Sequence, residues 1–373
     1  MKKALVIGGG FGGCAAAHQL ELLGGWQTTL VETAAFLGGG CKTFYQGGHP
    51  YTFGPRHFLT NMIHVYEYLN TYVPLRRCNE HLFWTYVEQD QRFYHYPIHI
   101  DDIRSMPDAA KVLAEMDAAP GPSGAANLKD YWINSVGPTL YAKFIHDYNN
   151  KMWKVSDPSA IDHNVQNWSP KGPNIASGPR EVFHDWISCY PHAANGYDDF
   201  FKIATAGPDT KVLLKTRIEK YDIPNKTVVL NGEKITFDII VSTASLDVLF
   251  NNVHGELRFI GRDFYPIVLP IEEVFPKNVF FCYYANAQPV TRVVEYKKLT
   301  LHKSPTTLIG IEIPSMRNRL YPVPISSEVE KAKKYLAMIP DGVFSIGRMG
   351  KYDYVLDIDD VLDDAIQMAK ALR

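Results

Sequence analysis

Close to the N-terminus, Gly8-Gly9-Gly10-Phe11-Gly12-Gly13 contains a GxGxxG pattern formed by Gly8, Gly10 and Gly13, with Phe11 and Gly12 in the intervening places. The chemistry such spacing serves is the holding of a pyrophosphate. Gly8 permits a tight turn, Gly10 lets phosphate approach backbone N–H groups at a helix N-terminus, and Gly13 lets helix and strand pack closely. Context makes the pattern informative. It follows an apolar run, Lys3 to Ile7, and opens a segment whose apolar residues Ala15, Ala16, Leu20 and Leu23 keep helical spacing. A second strand-like run, 27–32, ends in Glu32, whose carboxylate can accept both ribose hydroxyls of an adenosine. A glycine turn without a ligand would need none of these three neighbours.

Two further segments favour FAD over NAD. Phe36-Leu37-Gly38-Gly39-Gly40 lies just beyond Glu32, where Gly39 and Gly40 can run along the rest of a dinucleotide. Near the C-terminus, Ser345-Ile346-Gly347-Arg348 reads as a strand end, and a helix with an acidic first turn begins near Asp359. A strand end and a helix N-terminus suit a ribityl chain and a flavin carbonyl. The plainer alternative for Arg348 is a solvated arginine in a strand-end turn.

The elements that must position these residues read as an α/β chain. Residues 3–32 form a βαβ unit; 100–190 turn helical, with starts near Asp101, Pro107, Asn127 and Gly137 and a break at 119–124. Strands return at 211–216 and 227–230, followed by an Asn231-Gly232 turn leading into Ile235 through Ser242. They dominate again over 258–313, and a helix closes the chain from about Asp359 to Leu372. The expected organisation is a Rossmann-like FAD-binding domain assembled from the discontinuous segments 1–60, 205–250 and 338–373. A helical substrate domain, 100–190, and an antiparallel β-sheet domain, 61–99 with 251–337, are inserted into it.

Composition narrows the partners. A net charge of -2 over 373 residues gives no footprint for nucleic acid. No apolar run is long enough for a signal-peptide core or a membrane span. Five cysteines without a CxxC pair read as free thiols in a reducing compartment, hence a cytoplasmic expectation. The 22 tyrosines exceed what a core favours, and a polar ligand cleft would use their hydroxyls. The histidines are scattered; His95, His99 and His146 read as ordinary polar residues, and no metal site is expected.

Several segments in order along the chain resemble the UDP-galactopyranose mutase family. They are the N-terminal fingerprint, Leu37 to Thr43, Gly54 to Thr60, Leu140 to Trp153, Thr291-Arg292-Val293-Val294-Glu295-Tyr296-Lys297, Leu320-Tyr321-Pro322-Val323, and Gly347-Arg348 with the tyrosines that follow. The resemblance implies an isomerase that interconverts pyranose and furanose forms of a nucleotide-diphosphate sugar, UDP-galactose or a related UDP- or dTDP-sugar, in the supply of cell-surface polysaccharide. It implies reduced FAD, kept reduced by an external reductant or NAD(P)H, whose N5 attacks the anomeric carbon and forms a flavin–sugar adduct. A homodimer is compatible with it. The competing readings are a net redox flavoprotein of the amine-oxidase or desaturase type, and a flavin-binding relative without mutase activity.

On this resemblance Arg292 is the fixed diphosphate arginine, unless it is a structural partner of Glu295. The arginine of the mobile loop is Arg180, with Lys171 as its rival. Tyr190, Tyr321 and Tyr354 fall where the family contacts phosphate, and Asp357 where it has a flavin-side carboxylate. Phe144, Tyr148, Asn149 and Trp153 keep the spacing of the uridine wall, although 144, 148 and 153 do not follow one clean helical stripe. Two departures stand out. The family's Gly-Ala/Pro-His-Ile-Phe-His-Thr reads here Gly54-Pro55-Arg56-His57-Phe58-Leu59-Thr60, so Arg56 enters the catalytic set, Leu59 replaces a histidine and His57 is shifted. Ile145 stands for a second phenylalanine. These positions leave sugar and base open.

Overall fold

A computed structural model describes residues 1–78, 80–165 and 174–373. Lys171 lies outside the described residues. Five strands form a parallel sheet in the spatial order Thr210–Leu213, Trp26–Val31, Lys2–Ile7, Ile239–Ser242, Val343–Ser345. In chain order this is third, second, first, fourth, fifth, so the sheet reverses direction of growth beside Lys2–Ile7. Ligands of such sheets bind in the crevice outside the strand ends at that reversal. The glycine loop leaves the first strand at that point, and the helix Phe11–Leu23 follows it.

A second sheet of seven strands has the order Tyr321–Pro322, Phe259–Leu269, Thr307–Ser315, Arg292–Glu295, Val279–Tyr284, Leu82–Val87, Arg92–Tyr96. It is antiparallel except where Val279–Tyr284 runs parallel to Leu82–Val87. One rung crosses six of its strands: Phe264 opposes Glu312, Glu312 opposes Arg292, Arg292 opposes Tyr283, Tyr283 opposes Thr85, and Thr85 opposes Tyr94. Directly opposed residues share a face, so the sheet places a row of polar and aromatic side chains on one side.

Three expectations are corrected. Residues 235–242 are not one strand: Glu233–Thr236 closes a small antiparallel sheet with Thr227–Leu230, whereas Ile239–Ser242 joins the parallel sheet. The positive φ of Asn231 and Gly232 makes the expected hairpin, and its second strand ends after one rung set. The stretch 100–190 is helical only in its first part, because Ile187–Pro191 is a strand between Phe58–Thr60 and Leu75–Arg77. Ile63–Tyr72, assigned to the sheet domain, is a helix whose Val65 and Leu69 bury into the core shared with Ala15, Ala16 and Leu20.

Within the helical part, Leu128–Leu140 is kinked at Gly137, where φ 83° and ψ 163° break the helix ahead of Pro138. A π-helical turn, Tyr141–Ile145, leads into His146–Trp153. The C-terminal helix spans Ile358–Ala371 and begins on a reciprocal capping box of Asp357 and Asp360.

Candidate active site

The glycine cradle has the geometry its spacing implies. Gly8 has φ +96°, and a Cβ there would meet Thr243 Oγ1; a Cβ on Gly13 would lie 1.8 Å from the Gly8 carbonyl oxygen. The helix can approach the end of the first strand only because residue 13 is glycine. A Cβ on Gly10 would meet no atom within 4 Å, so the helix N-terminus opens onto free space, and no side chain caps it. Gly12 instead makes room for Val361 of the C-terminal helix. The Phe11 ring packs among Tyr197, Phe200 and Phe201, which leaves its backbone to face a ligand.

Around this cradle the other expected contacts converge. Gly38 N–H donates to Gly9 O at 2.7 Å, laying the second glycine run against the first. Glu32 stands beside both, accepting from Gly9 N at 2.7 Å and Ala34 N at 2.6 Å. Arg56 donates from Nε to Gly40 O at 3.2 Å. Arg348 donates to Leu356 O and to Asp357 Oδ1 at 3.0 Å. Asp357 is thus the cap of the closing helix as well as the partner of Arg348. An open helix N-terminus, a carboxylate at the second strand end and an arginine at the fifth make a cradle that fits a dinucleotide.

Beside the cradle lies a cleft of about 600 Å³, within the range of small-molecule sites. Tyr321 is at its centre. Arg262 stands 4.8 Å and Arg348 5.1 Å from its ring centroid. Burial pushes the Tyr321 hydroxyl up, but the charges of Arg262, Arg56 and Arg292 outweigh it and leave the pKa below that of an ordinary tyrosine. Arg292 is held by Glu312 in a two-point pair, Nε to Oε1 at 3.0 Å and Nη2 to Oε2 at 2.8 Å. Its partner is therefore not Glu295, which is fully buried and accepts from Val274 N, Phe275 N and Thr307 Oγ1. Arg56, Arg292 and Arg348 line the cleft with Asp357, and the buried Arg262 stands behind Tyr321, an excess of positive charge suited to a diphosphate.

Opening from the cleft is a smaller pocket of about 170 Å³. Phe144, Tyr148, Asn149 and Trp153 all line it, with Ile145 and Tyr354. The missing stripe resolves into two adjacent rows at i, i+4 spacing, 144/148 and 145/149/153, which together make one wide wall. Asn149 is engaged at both ends of its amide, donating to Ile145 O at 2.8 Å and accepting from Trp153 Nε1 at 3.2 Å. It positions the indole. Tyr354 stacks edge-on against Trp153 at 4.9 Å and borders both cavities.

Two expected residues are elsewhere. Tyr190 is buried against Tyr197 and Arg76 and lines neither cavity. Arg180 also lines neither; Nη1 donates to Asp102 Oδ1 at 2.6 Å, beside His95. Burial opposes ionisation of Asp102, but hydrogen bonds from His95 and Arg180 prevail and hold its carboxyl well below the usual range. Arg262 and Glu312 were missed by the sequence reading. The one local signal was an arginine on the apolar side of the alternating run Ile260, Arg262, Phe264. Among the described residues no His, Cys, Asp and Glu cluster could hold a metal, all five cysteines are free and buried, and no helix is long and apolar enough to cross a membrane.

Fold and site together define a Rossmann-type dinucleotide-binding enzyme with a cationic cleft leading to an aromatic pocket. The sequence model of the UDP-galactopyranose mutase family matches residues 143–354, more than half of the chain, and the chain belongs to that family of isomerases. The model of an NAD(P)-binding Rossmann-like domain matches residues 6–72. A dTDP-fucopyranose mutase of Escherichia coli is 22% identical over 99% of this chain and 98% of its own length. A phytoene desaturase of Phycomyces blakesleeanus is 28% identical over 36% of this chain and 22% of its own. A reduced UDP-galactopyranose mutase structure superposes with TM-score 0.80 at 16% identity, covering all of this chain and 95% of that one.

Proposed function

We propose that the protein interconverts the pyranose and furanose forms of a nucleoside-diphosphate sugar, with reduced FAD in the glycine cradle. The observation that carries this reading is the junction of three spaces: the cradle, the cleft lined by Arg56, Arg292 and Arg348 beside Tyr321, and the aromatic pocket behind Tyr354. Bound reduced FAD supplies a nucleophile for the anomeric carbon. The chain's own residues do the rest. Arg292, with Arg56 beside it, receives the charge of the departing diphosphate, and Tyr321 donates a hydrogen bond without adding charge. The aromatic wall retains the nucleoside so that the diphosphate returns to the same sugar rather than escaping. Glu32 accepts the adenosine ribose, and Arg348 with Asp357 closes the flavin end.

The desaturase match spans a third of the chain, whereas the mutase matches extend through the cleft. The test is to load the protein with FAD, reduce it with dithionite or NAD(P)H, and supply UDP- and dTDP-linked pyranoses and furanoses. Isomerisation without net oxidation, absent when the flavin is oxidised, is the expected result. Oxidation of an amine or alkene with no nucleotide sugar isomerised would overturn the reading.

A further inference from the structure

The small pocket is not uniformly apolar. Two polar groups on its wall, Thr85 Oγ1 and Trp132 Nε1, are buried and have no hydrogen-bond partner among the described residues. Thr85 is 2% and Trp132 3% exposed. Buried polar groups are nearly always paired, and leaving one unpaired costs roughly as much as a lost hydrogen bond. Both groups therefore point to a ligand. Asn149, the other buried polar residue of this wall, is not left over in the same way, because it holds Trp153.

Register supplies the second observation. Thr85 opposes Tyr283, and Tyr283 opposes Arg292, so Thr85 and the cleft arginine lie on one rung two strands apart. At the usual strand spacing that is about 10 Å. A nucleoside diphosphate lying along the rung would put its phosphates at Arg292 and its base over Thr85. Aromatic walls on Tyr148 and Trp153 suit a flat ring, and Trp132, which borders both cavities, stands at the entrance. The indole N–H can only donate and thus requires an acceptor; the hydroxyl can donate or accept.

We infer that Thr85 and Trp132 read the edge of the nucleobase, the indole donating to a ring carbonyl and the hydroxyl pairing with the neighbouring edge atom of a pyrimidine. This rests on the proposed function for the presence of a nucleotide, and it assigns base recognition to the sheet floor and to helix Leu128–Leu140 rather than to the amide of Asn149. Both are specificity residues, remote from the reacting carbon.

Binding of UDP, dTDP and inorganic pyrophosphate to the FAD-loaded protein, measured by calorimetry, tests it. Thr85→Val and Trp132→Phe should each weaken UDP and dTDP by about 2- to 10-fold, the range of one neutral hydrogen bond, and leave pyrophosphate affinity unchanged. Thr85→Ser should restore nucleotide affinity. A wall with a merely structural role would not separate nucleotide from pyrophosphate. Wild-type nucleotide affinity in both variants would overturn the inference while leaving the proposed function standing. A wild-type protein that binds pyrophosphate but gains nothing from the nucleoside would overturn both.

Discussion

Arg292 and Glu312 oppose one another on neighbouring strands, with Glu312 3% exposed. The pair fixes the guanidinium before any substrate arrives, so the phosphate contact proposed for it would carry little ordering cost. Truncating Arg292 removes that contact and also strands a buried carboxylate. Arg292→Ala should therefore cost turnover about 10- to 150-fold, the rate equivalent of ~1.5–3 kcal/mol for a charge-assisted hydrogen bond. Stability should fall as well. The double variant Arg292→Met with Glu312→Gln separates the two effects: urea denaturation should recover most of the stability, while turnover stays low. Recovery of turnover would remove Arg292 from the diphosphate site. At the cradle, Gly13→Ala places a Cβ against the Gly8 carbonyl, a backbone atom that cannot swing aside. Loss of bound FAD, read from flavin absorbance after gel filtration, is the expected outcome; full flavin occupancy would show that the loop relaxes.

The π turn Tyr141–Ile145 turns Lys143 inward to Asp90, at 2.9 Å from each carboxylate oxygen, and to Asp108 at 2.6 Å. Tyr94 donates to the same Asp90. This cluster, buried at Lys143 and Asp90 and partly open at Asp108, ties the aromatic wall to the edge hairpin of the large sheet. Lys143→Met leaves Asp90 with the Tyr94 hydroxyl but no counter-charge and should destabilise the protein by ~3–5 kcal/mol, as for other broken buried pairs. Equilibrium denaturation measures it; a loss under ~1 kcal/mol would show the cluster relaxes or hydrates. Such an element also shows what a single sequence reveals. The Gly8–Gly13 cradle and Glu32 were legible from local spacing, and the wall residues 144, 148 and 153 from the resemblance of 140–153 to a family segment. The pairing of Arg292 with Glu312, the exposure of Thr85 to the pocket and the place of Arg262 over Tyr321 depend on rungs between distant strands, which no local pattern encodes. Glu295, three residues from Arg292, was the nearer candidate in sequence and belongs to the opposite face of its strand. Tyr190 failed for the complementary reason: alternation along Ile187–Pro191 turned its ring into the core.

Across the molecule, separated segments meet in one aromatic core beneath the cleft, where Phe83, Phe280, Phe281, Val182 and Val294 pack together. His81 stands within it, stacked on Phe280 at 3.8 Å and edge-on to Phe83 at 4.6 Å. Both its ring nitrogens are buried without a hydrogen-bond partner among the described residues. Burial, and next to it the charge of His57, push its pKa well below the ordinary value. The unfolded chain binds a proton at this residue below about pH 6.5, while the folded chain resists it. Stability is therefore complete above that pH and declines as pH falls toward the depressed folded value, by up to about 1.4 kcal/mol per pH unit. His81→Phe keeps the stacking and deletes the titration. Urea midpoints of the two proteins, compared at pH 7.5 and 5.0, should show wild type losing about 2 kcal/mol more than the variant on acidification. Equal acid losses would mean that His81 is hydrated in solution and that the core under the cleft opens at neutral pH.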